Sequence, residues 1–373
     1  MNSNPMLMSD RTSAIDMTNT LHRYIAGYDT SVTCQTEHLA GAGATFLLEK
    51  KLADYTGKKF ALTFSSATTA LTSLCLAMDI KGAEVITTPV TWGGAVTPFL
   101  INGNKLRFSS IEAASLHLDP NQLIHSVNSR TKVVISTDLH GYPADSASIK
   151  DFCQANGLKY ISDSAQSLGA FRDGRSAGWF ADATVLSFSP GKSFFAGEGG
   201  AVVTDDPDLY ERLIWVSQHP ERQKAIFGLS YTNEYAPING RINPFASLYL
   251  NMRFQACAER LRIYQGECHS ALNILLGSGL IEEVNQIAAP EGSTYFKFSV
   301  RLKRSSTVED VNAFLNECKV PFQAQKLSVK LIPFDPQFKS QFVGRYSCSN
   351  HLRGLTKNGI LERRFNLEHQ QIS

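Results

Sequence analysis

From about residue 44 the apolar positions alternate between two periods. ATFLLEKKLADYTG repeats them at helical spacing and stops at Gly57, and TTALTSLCLAM, with Thr68 in its first turn, predicts a second helix. EVITTP is a short apolar run ended by Pro89; KLRFSS, TKVVIST and LKYISD are three more, with helical ADSASIKDFCQANG between the last two. ATVLSFS and GAVVTDD predict two further strands. Such alternation predicts a mostly parallel sheet covered by helices on both faces.

After about residue 210 the texture changes. HPERQKAIFGLSYTNEYAPINGR carries loop punctuation, and a long helical pattern follows from about Phe245 to Leu275. A strand-like YFKFSVRL, a helix-like TVEDVNAFLNE and a weakly patterned tail then predict a smaller α+β domain. The expected organisation is an N-terminal polar arm (1–37), disordered or lying on a partner subunit, a large α/β domain (38–250) and a small C-terminal domain (251–373). A length of 373 residues suits two such domains.

With 43% hydrophobic and 19% charged residues, the composition is that of a soluble globular protein. A net charge of +2 gives no reason to expect nucleic acid or an acidic membrane as partner. The seven scattered cysteines form no C-x-x-C pair, so neither a zinc site nor a disulfide framework is suggested, and free thiols in a reducing cytoplasm are the simplest expectation. No apolar run reaches the roughly 20 residues of a membrane helix, and MNSNPMLMSDRTSAID lacks the basic segment and apolar core of a secretory signal.

Four segments carry candidate chemistry. In YISDSAQSLGA, Asp163 stands where an apolar strand runs out, where open α/β sheets bind ligands and an acid can hold a buried cationic partner; taken alone, a solvated loop acid or a helix cap is the preferred reading. In TVLSFSPGKSFFAGEGGAVVT, Lys192 sits among Gly, Ser and Phe. Partial desolvation there lowers an amine's pKa and makes it a nucleophile toward an aldehyde, against the ordinary reading of a surface lysine at a turn. Ser187, five residues earlier, is positioned to bind phosphate. GEGGAVVT lacks dinucleotide or P-loop spacing and reads as a tight turn where backbone approaches closely. In FSSATTAL, Ser65, Ser66, Ala67 and Thr68 lead into a helix whose N-terminus suits a phosphate or is simply capped by Ser66. Trp92 in TTPVTWGGAV has small neighbours and offers a face to a flat cofactor, core packing being the alternative.

Together and in this order, these segments resemble the DegT/DnrJ/EryC1/StrS family of sugar aminotransferases, over roughly residues 38–270 and more weakly to about 335. GAEVITTPVTW resembles G-D-E-V-I-x-P-x-x-T-[FW], HGYPADSASI resembles Y-G-x-P-A-D-x-x-x-I, and SDSAQSLGA resembles E-D-A-A-Q-A-x-G-A. SFSPGKSFFAGEGGAVVTDD is similar to S-F-x-x-x-K-x-x-x-x-G-E-G-G-A-x-x-T-x-D. The resemblance implies a fold-type I pyridoxal 5'-phosphate (PLP) enzyme, a homodimer of cytoplasmic location. Lys192 would carry the cofactor as a Schiff base, Asp163 pair with its ring nitrogen, Gln166 bond its ring oxygen and Trp92 stack on its face. Ser66, Ala67, Thr68 and Ser187 would hold its phosphate. Asn239, or Asn243 as competitor, would reach a neighbouring subunit's phosphate. His219, Arg241 and Lys326 are the candidate substrate contacts, with Arg222 beside His219 in the same loop; no metal is implied.

The implied reaction moves an amino group from an amino acid, glutamate or glutamine, to a keto-sugar or keto-cyclitol, in secondary-metabolite or cell-surface glycan biosynthesis. Lysine at 192, where some members carry histidine and dehydrate sugars, favours transfer. PLP chemistry at an amino acid's α, β or γ carbon, or a PLP-binding regulator, are the alternatives. Departures from the family pattern are Ala67 in place of glycine, Asp138 and His140 in place of histidine and tyrosine, RINPFASL in place of R-M-x-E-I-x-A-A, and a divergent C-terminal region.

Overall fold

A computed structural model describes residues 39–228, 238–282, 290–327, 329, 331–349 and 364–369. The N-terminal arm therefore lies outside the described residues. In chain order the elements are α1 (Ala44–Thr56), β1 (Phe60–Phe64), α2 (Ala67–Ala77), β2 (Glu84–Thr87), α3 (Gly93–Ile101), β3 (Lys105–Phe108), β4 (Thr131–Thr137), α4 (Ser146–Ala155) and β5 (Lys159–Asp163). They continue with β6 (Phe171–Arg172), β7 (Arg175–Ser176), β8 (Ala183–Ser187), β9 (Gly200–Thr204), α5 (Pro207–Ser217), α6 (Pro220–Phe227), α7 (Pro244–Gly277), β10 (Ile281–Glu282) and β11 (Phe298–Leu302). The last are α8 (Val308–Glu317), β12 (Phe322–Lys326), α9 (Pro336–Gln341), β13 (Tyr346–Cys348) and β14 (Arg364–His369).

These elements gather into two compact units. The first holds the described residues up to Asp79 together with Val185–Arg260. Its strands run in the order β1–β9–β8, with β1 antiparallel to β9 in a register that sets Phe64 opposite Gly200. Helix α1 ends where Gly57 takes the left-handed conformation (φ 70°) that a side chain resists. Its buried Leu48 and Leu52, with Leu62 and Phe64 of β1 and Leu71 and Leu74 of α2, supply much of this unit's core.

The second unit comprises Ile80–Thr184 and the described residues from Leu261 onward. Strand order is β5–β4–β2–β3–β13, all neighbours parallel. Every residue of β2 is buried, as are all but one of β4, because a parallel sheet is covered on both faces. The register aligns Thr87 with Ile135, and Thr137 with Asp163. The turns that follow β2, β4 and β5 therefore leave one edge of the sheet, the carboxyl edge where such sheets bind ligands. The same unit contains the antiparallel sheet β10–β11–β14–β12, with Val311 and Leu315 of α8 in its apolar cluster. This is the predicted α+β element, and the tail that looked unpatterned supplies its strand β14. No helix among the described residues is long and apolar enough to cross a membrane.

Candidate active site

In the first unit, the chain leaves β1 through Ser65 and enters α2 at Ser66. Ser66 is extended (φ −163°, ψ 164°), and its hydroxyl accepts the Thr69 N–H at 3.0 Å. That cap serves one first-turn donor and leaves the N–H groups of half-buried Ala67 and exposed Thr68 at the positive end of the helix. Ser66 is thus the cap, and the turn it opens keeps N–H donors of the kind a phosphate takes.

Gly200 explains part of the GEGG run. A Cβ there would lie 2.5 Å from the Ala67 nitrogen and 2.7 Å from the Ser66 carbonyl carbon. Both are backbone atoms, so β9 passes the mouth of α2 only because residue 200 has no side chain. Gly200→Ala should cost about 1–3 kcal/mol, a fall in Tm of roughly 1–4 °C by calorimetry. Gly266→Ala, inside α7 where a Cβ meets nothing within 4 Å, should instead stabilise by about 0.5–1 kcal/mol.

Lys192 lies in the loop between β8 and β9 and is half-buried. The loop is tied at its base, Phe188 N–H donating to Gly199 O at 2.9 Å and Ala196 N–H to Phe188 O at 2.9 Å. Inside it, the Lys192 N–H donates to Ser189 O at 3.2 Å. Fully buried Phe194 anchors the far side, with ring centroids 5.2 Å from Tyr55 and 4.9 Å from Phe254. A short, doubly tied loop with an aromatic anchor fixes where the lysine stem begins. Ser187, the last residue of β8, is buried and shares a hydrogen bond with the Ser189 hydroxyl at 3.1 Å.

A cavity of about 850 Å³ opens in this unit, lined among others by Ser65, Gly197, Asn239, Arg241, Asn243 and Tyr249. The two asparagines differ in commitment. Asn243 Oδ1 accepts the Phe245 N–H at 2.9 Å and caps α7, whose first residue is Pro244. Asn239 is exposed on a left-handed backbone (φ 45°), and the adjacent Gly240 O accepts the Ser65 N–H at 2.8 Å. Arg241 is half-buried, and burial holds its guanidinium below the usual range. His219 is held below its usual value first by burial and then by the Arg241 charge.

Residues 220–227, expected as loop, form helix α6. His219 caps α6, its Nδ1 accepting the Glu221 N–H at 3.1 Å. Arg222 is 3% exposed and pairs with Glu49 at 2.6 Å, so it is a structural cation and not a substrate contact. The remainder of the predicted loop, residues 229–237, lies outside the described residues.

In the second unit, Asp163 ends β5 and is 5% exposed; its Oδ1 accepts the Ala165 N–H at 3.1 Å. Gln166 is half-buried. Its Oε1 accepts the His140 N–H at 2.6 Å, which makes the other end of the amide the donor end. Its backbone oxygen accepts the Thr294 hydroxyl at 2.6 Å. Trp92 immediately precedes α3 and is 77% exposed, which excludes core packing and leaves its ring face available. Lys326, at the end of β12, is exposed.

Sequence reasoning noted Asp138 only as a departure. It is wholly buried one residue beyond β4, and burial pushes its carboxyl up to about 6 against the hydrogen bonds it accepts. Its contribution to stability is therefore present below the ordinary carboxylate range and is lost as pH rises through about 6.

Residues 35–344 match the model of the DegT/DnrJ/EryC1/StrS aminotransferase family, and the chain belongs to that family. The UDP-2-acetamido-2-deoxy-3-oxo-D-glucuronate aminotransferase of Pseudomonas aeruginosa is 28% identical over 74% of each chain. The UDP-4-amino-4,6-dideoxy-N-acetyl-beta-L-altrosamine transaminase of Helicobacter pylori is 32% identical over 52% of each, so the match spans about half of that relative's length. Among solved structures, a DegT DnrJ EryC1 StrS aminotransferase from Brucella abortus superposes with a TM-score of 0.79 at 20% identity, covering 100% of this chain and 95% of that one. NtdA from Bacillus subtilis, with bound cofactor PMP, gives 0.75 at 21% identity, covering 98% and 79%. The fold is thus fold type I, as the resemblance implied.

Proposed function

We propose that this chain is a PLP-dependent aminotransferase that moves an amino group from an amino acid, glutamate or glutamine, to a ketone on a nucleotide-linked sugar or a cyclitol. Family membership and the nucleotide-sugar enzymes among its relatives support the reading. The observation that carries it is Asp163, a carboxylate 5% exposed at the carboxyl edge of a parallel sheet, next to an amide whose donor end is defined. A buried acid there suits a cationic ring nitrogen, and the α2 entrance suits a phosphate, so the donor and acceptor set fits the cofactor.

When bound, PLP supplies an electron sink. Asp163 keeps the proton on its ring nitrogen, and the Gln166 amide donates to its ring oxygen. Trp92 covers one ring face and excludes water there. Ser66, Ala67, Thr68 and Ser187 hold the phosphate. Lys192 anchors the cofactor and, once its amine is free, moves a proton as a general base. His219, Arg241 and Lys326 meet the substrates. The active unit is a cytoplasmic homodimer in which Asn239 reaches the neighbouring subunit's phosphate, since the Asn243 side chain is used in the α7 cap. The division into arm (1–37), cofactor domain (38–250) and small domain (251–373) belongs to the same reading.

The test is a half-reaction. L-Glutamate or L-glutamine added to the holoenzyme should bleach the visible band of bound PLP to the near-ultraviolet band of its amine form, with stoichiometric release of the 2-oxo acid. Failure with every amino donor would overturn transfer as the activity.

A further inference from the structure

Asp138 is a buried charge in a place where an uncharged side chain would cost less. A carboxylate in the core is expensive unless every lone pair is served. Here Oδ1 accepts the Ala144 N–H at 2.7 Å, and Oδ2 accepts the Ser162 hydroxyl at 3.1 Å and the Ser164 hydroxyl in a shorter bond. Its backbone is engaged with the same stretch: the Asp138 N–H donates to Asp163 O at 3.0 Å, and Asp138 O accepts the Ser167 hydroxyl at 2.8 Å.

Four of these five bonds land on residues 162–167. Ser162 and Ser164 are the two neighbours of Asp163 in sequence, and both turn toward Asp138. Along an extended strand alternate side chains face opposite ways, so the Asp163 side chain between them is turned to the other face. We propose that Asp138 is a positioning residue for Asp163: it grips both of its neighbours and its carbonyl from behind, and so fixes the direction in which the Asp163 carboxylate meets a cationic ring nitrogen. This rests on the PLP reading above but assigns a role to a residue that would not touch the cofactor.

The arrangement also accounts for the serines. Small hydroxyls at 162 and 164 reach a carboxylate behind the strand without displacing the core, whereas alanine would leave the buried charge short of donors. The like charge of Asp163 adds to the cost of ionising Asp138, a cost retained only because the three donors offset it.

The full-length chain tests this with Asp138→Asn and Ser164→Ala, titrated with PLP and with an analogue in which carbon replaces the ring nitrogen. Weakening of PLP binding by about tenfold is expected in each variant, the size usual for groups that orient a binding residue from behind. Toward the analogue, which offers Asp163 no ring N–H, both variants should stay within about twofold of the unaltered chain. Equal weakening toward both ligands, or unchanged PLP affinity, overturns the proposal, because general loosening of the loop does not distinguish the two. Ser164→Ala keeps the carboxylate and serves alone if Asp138→Asn does not fold. If the unaltered chain takes up no PLP, it is the underlying reading that fails.

Discussion

Lys192→Ala is expected to cut amino transfer by about a hundredfold or more while leaving the protein folded. The rate loss would follow from removing the group proposed to move the proton, a role commonly worth about 10²–10⁴-fold. The fold should survive because the loop is held by other atoms. The backbone bonds at Phe188, Gly199 and Ala196 and the buried Phe194 ring are all independent of the Lys192 side chain. Substitution of a half-buried loop side chain away from the core usually changes stability by no more than about 0.5 kcal/mol, a Tm shift near one degree. Borohydride reduction of the holoenzyme followed by peptide mapping should place a pyridoxyl tag on the peptide containing Lys192, and the tag should vanish in the variant. PLP should still bind the variant weakly. A tag on another lysine, or unimpaired turnover in Lys192→Ala, would show that the covalent anchor lies elsewhere.

Much of this arrangement was readable in the sequence because its signals are local. The strand ending at Asp163, the helix opening after Ser66 and the turn requiring Gly200 each lie within a few residues of their cause. Helix α3 escaped because it begins with two glycines, contains Pro98 and is largely buried, so it has no polar face to set a period. Strand β1, five residues between two helices, also escaped. Helix α6 did carry signals, with Pro220 at its first position, Glu221 in the first turn and a left-handed Gly228 after it, but its cap is a histidine, an uncommon type. The role of Arg222 could not be read locally, since Glu49 is 173 residues away. Asp138 is similar: the sequence shows an acid after a strand, and only the fold shows that its carboxylate oxygens are served by Ala144, Ser162 and Ser164.

The Glu49–Arg222 pair should be the most destructive place to unbalance the first unit. Glu49 on α1 and Arg222 on α6 are each nearly excluded from solvent. Glu49 Oε1 also accepts the Thr63 N–H at 2.9 Å and its hydroxyl at 2.8 Å, so one carboxylate joins α1, β1 and α6. Burial works against the Arg222 charge, but the charge and hydrogen bonds of Glu49 outweigh it and hold the guanidinium above its usual range. Glu49→Ala leaves that cation buried without its counter-ion and should cost about 3–5 kcal/mol, a fall in Tm of roughly 4–6 °C. The double substitution Glu49→Leu with Arg222→Met removes both charges and should be markedly less harmful than Glu49→Ala, because the penalty lies in the stranded charge and not in the absence of the pair. Thermal unfolding of the three proteins at one pH decides this; a double variant at least as unstable as Glu49→Ala would mean that the pair itself contributes the stability. The consequence reaches the site through the α5–α6 joint. Gln218, beside the His219 cap, donates to Thr63 O at 3.4 Å, and Ser217 O accepts the Gly240 N–H at 2.8 Å, next to Asn239 on the cavity wall. Loss of Glu49 should therefore loosen the Asn239 segment before the Lys192 loop, whose ties run through Phe188 and Phe194 instead.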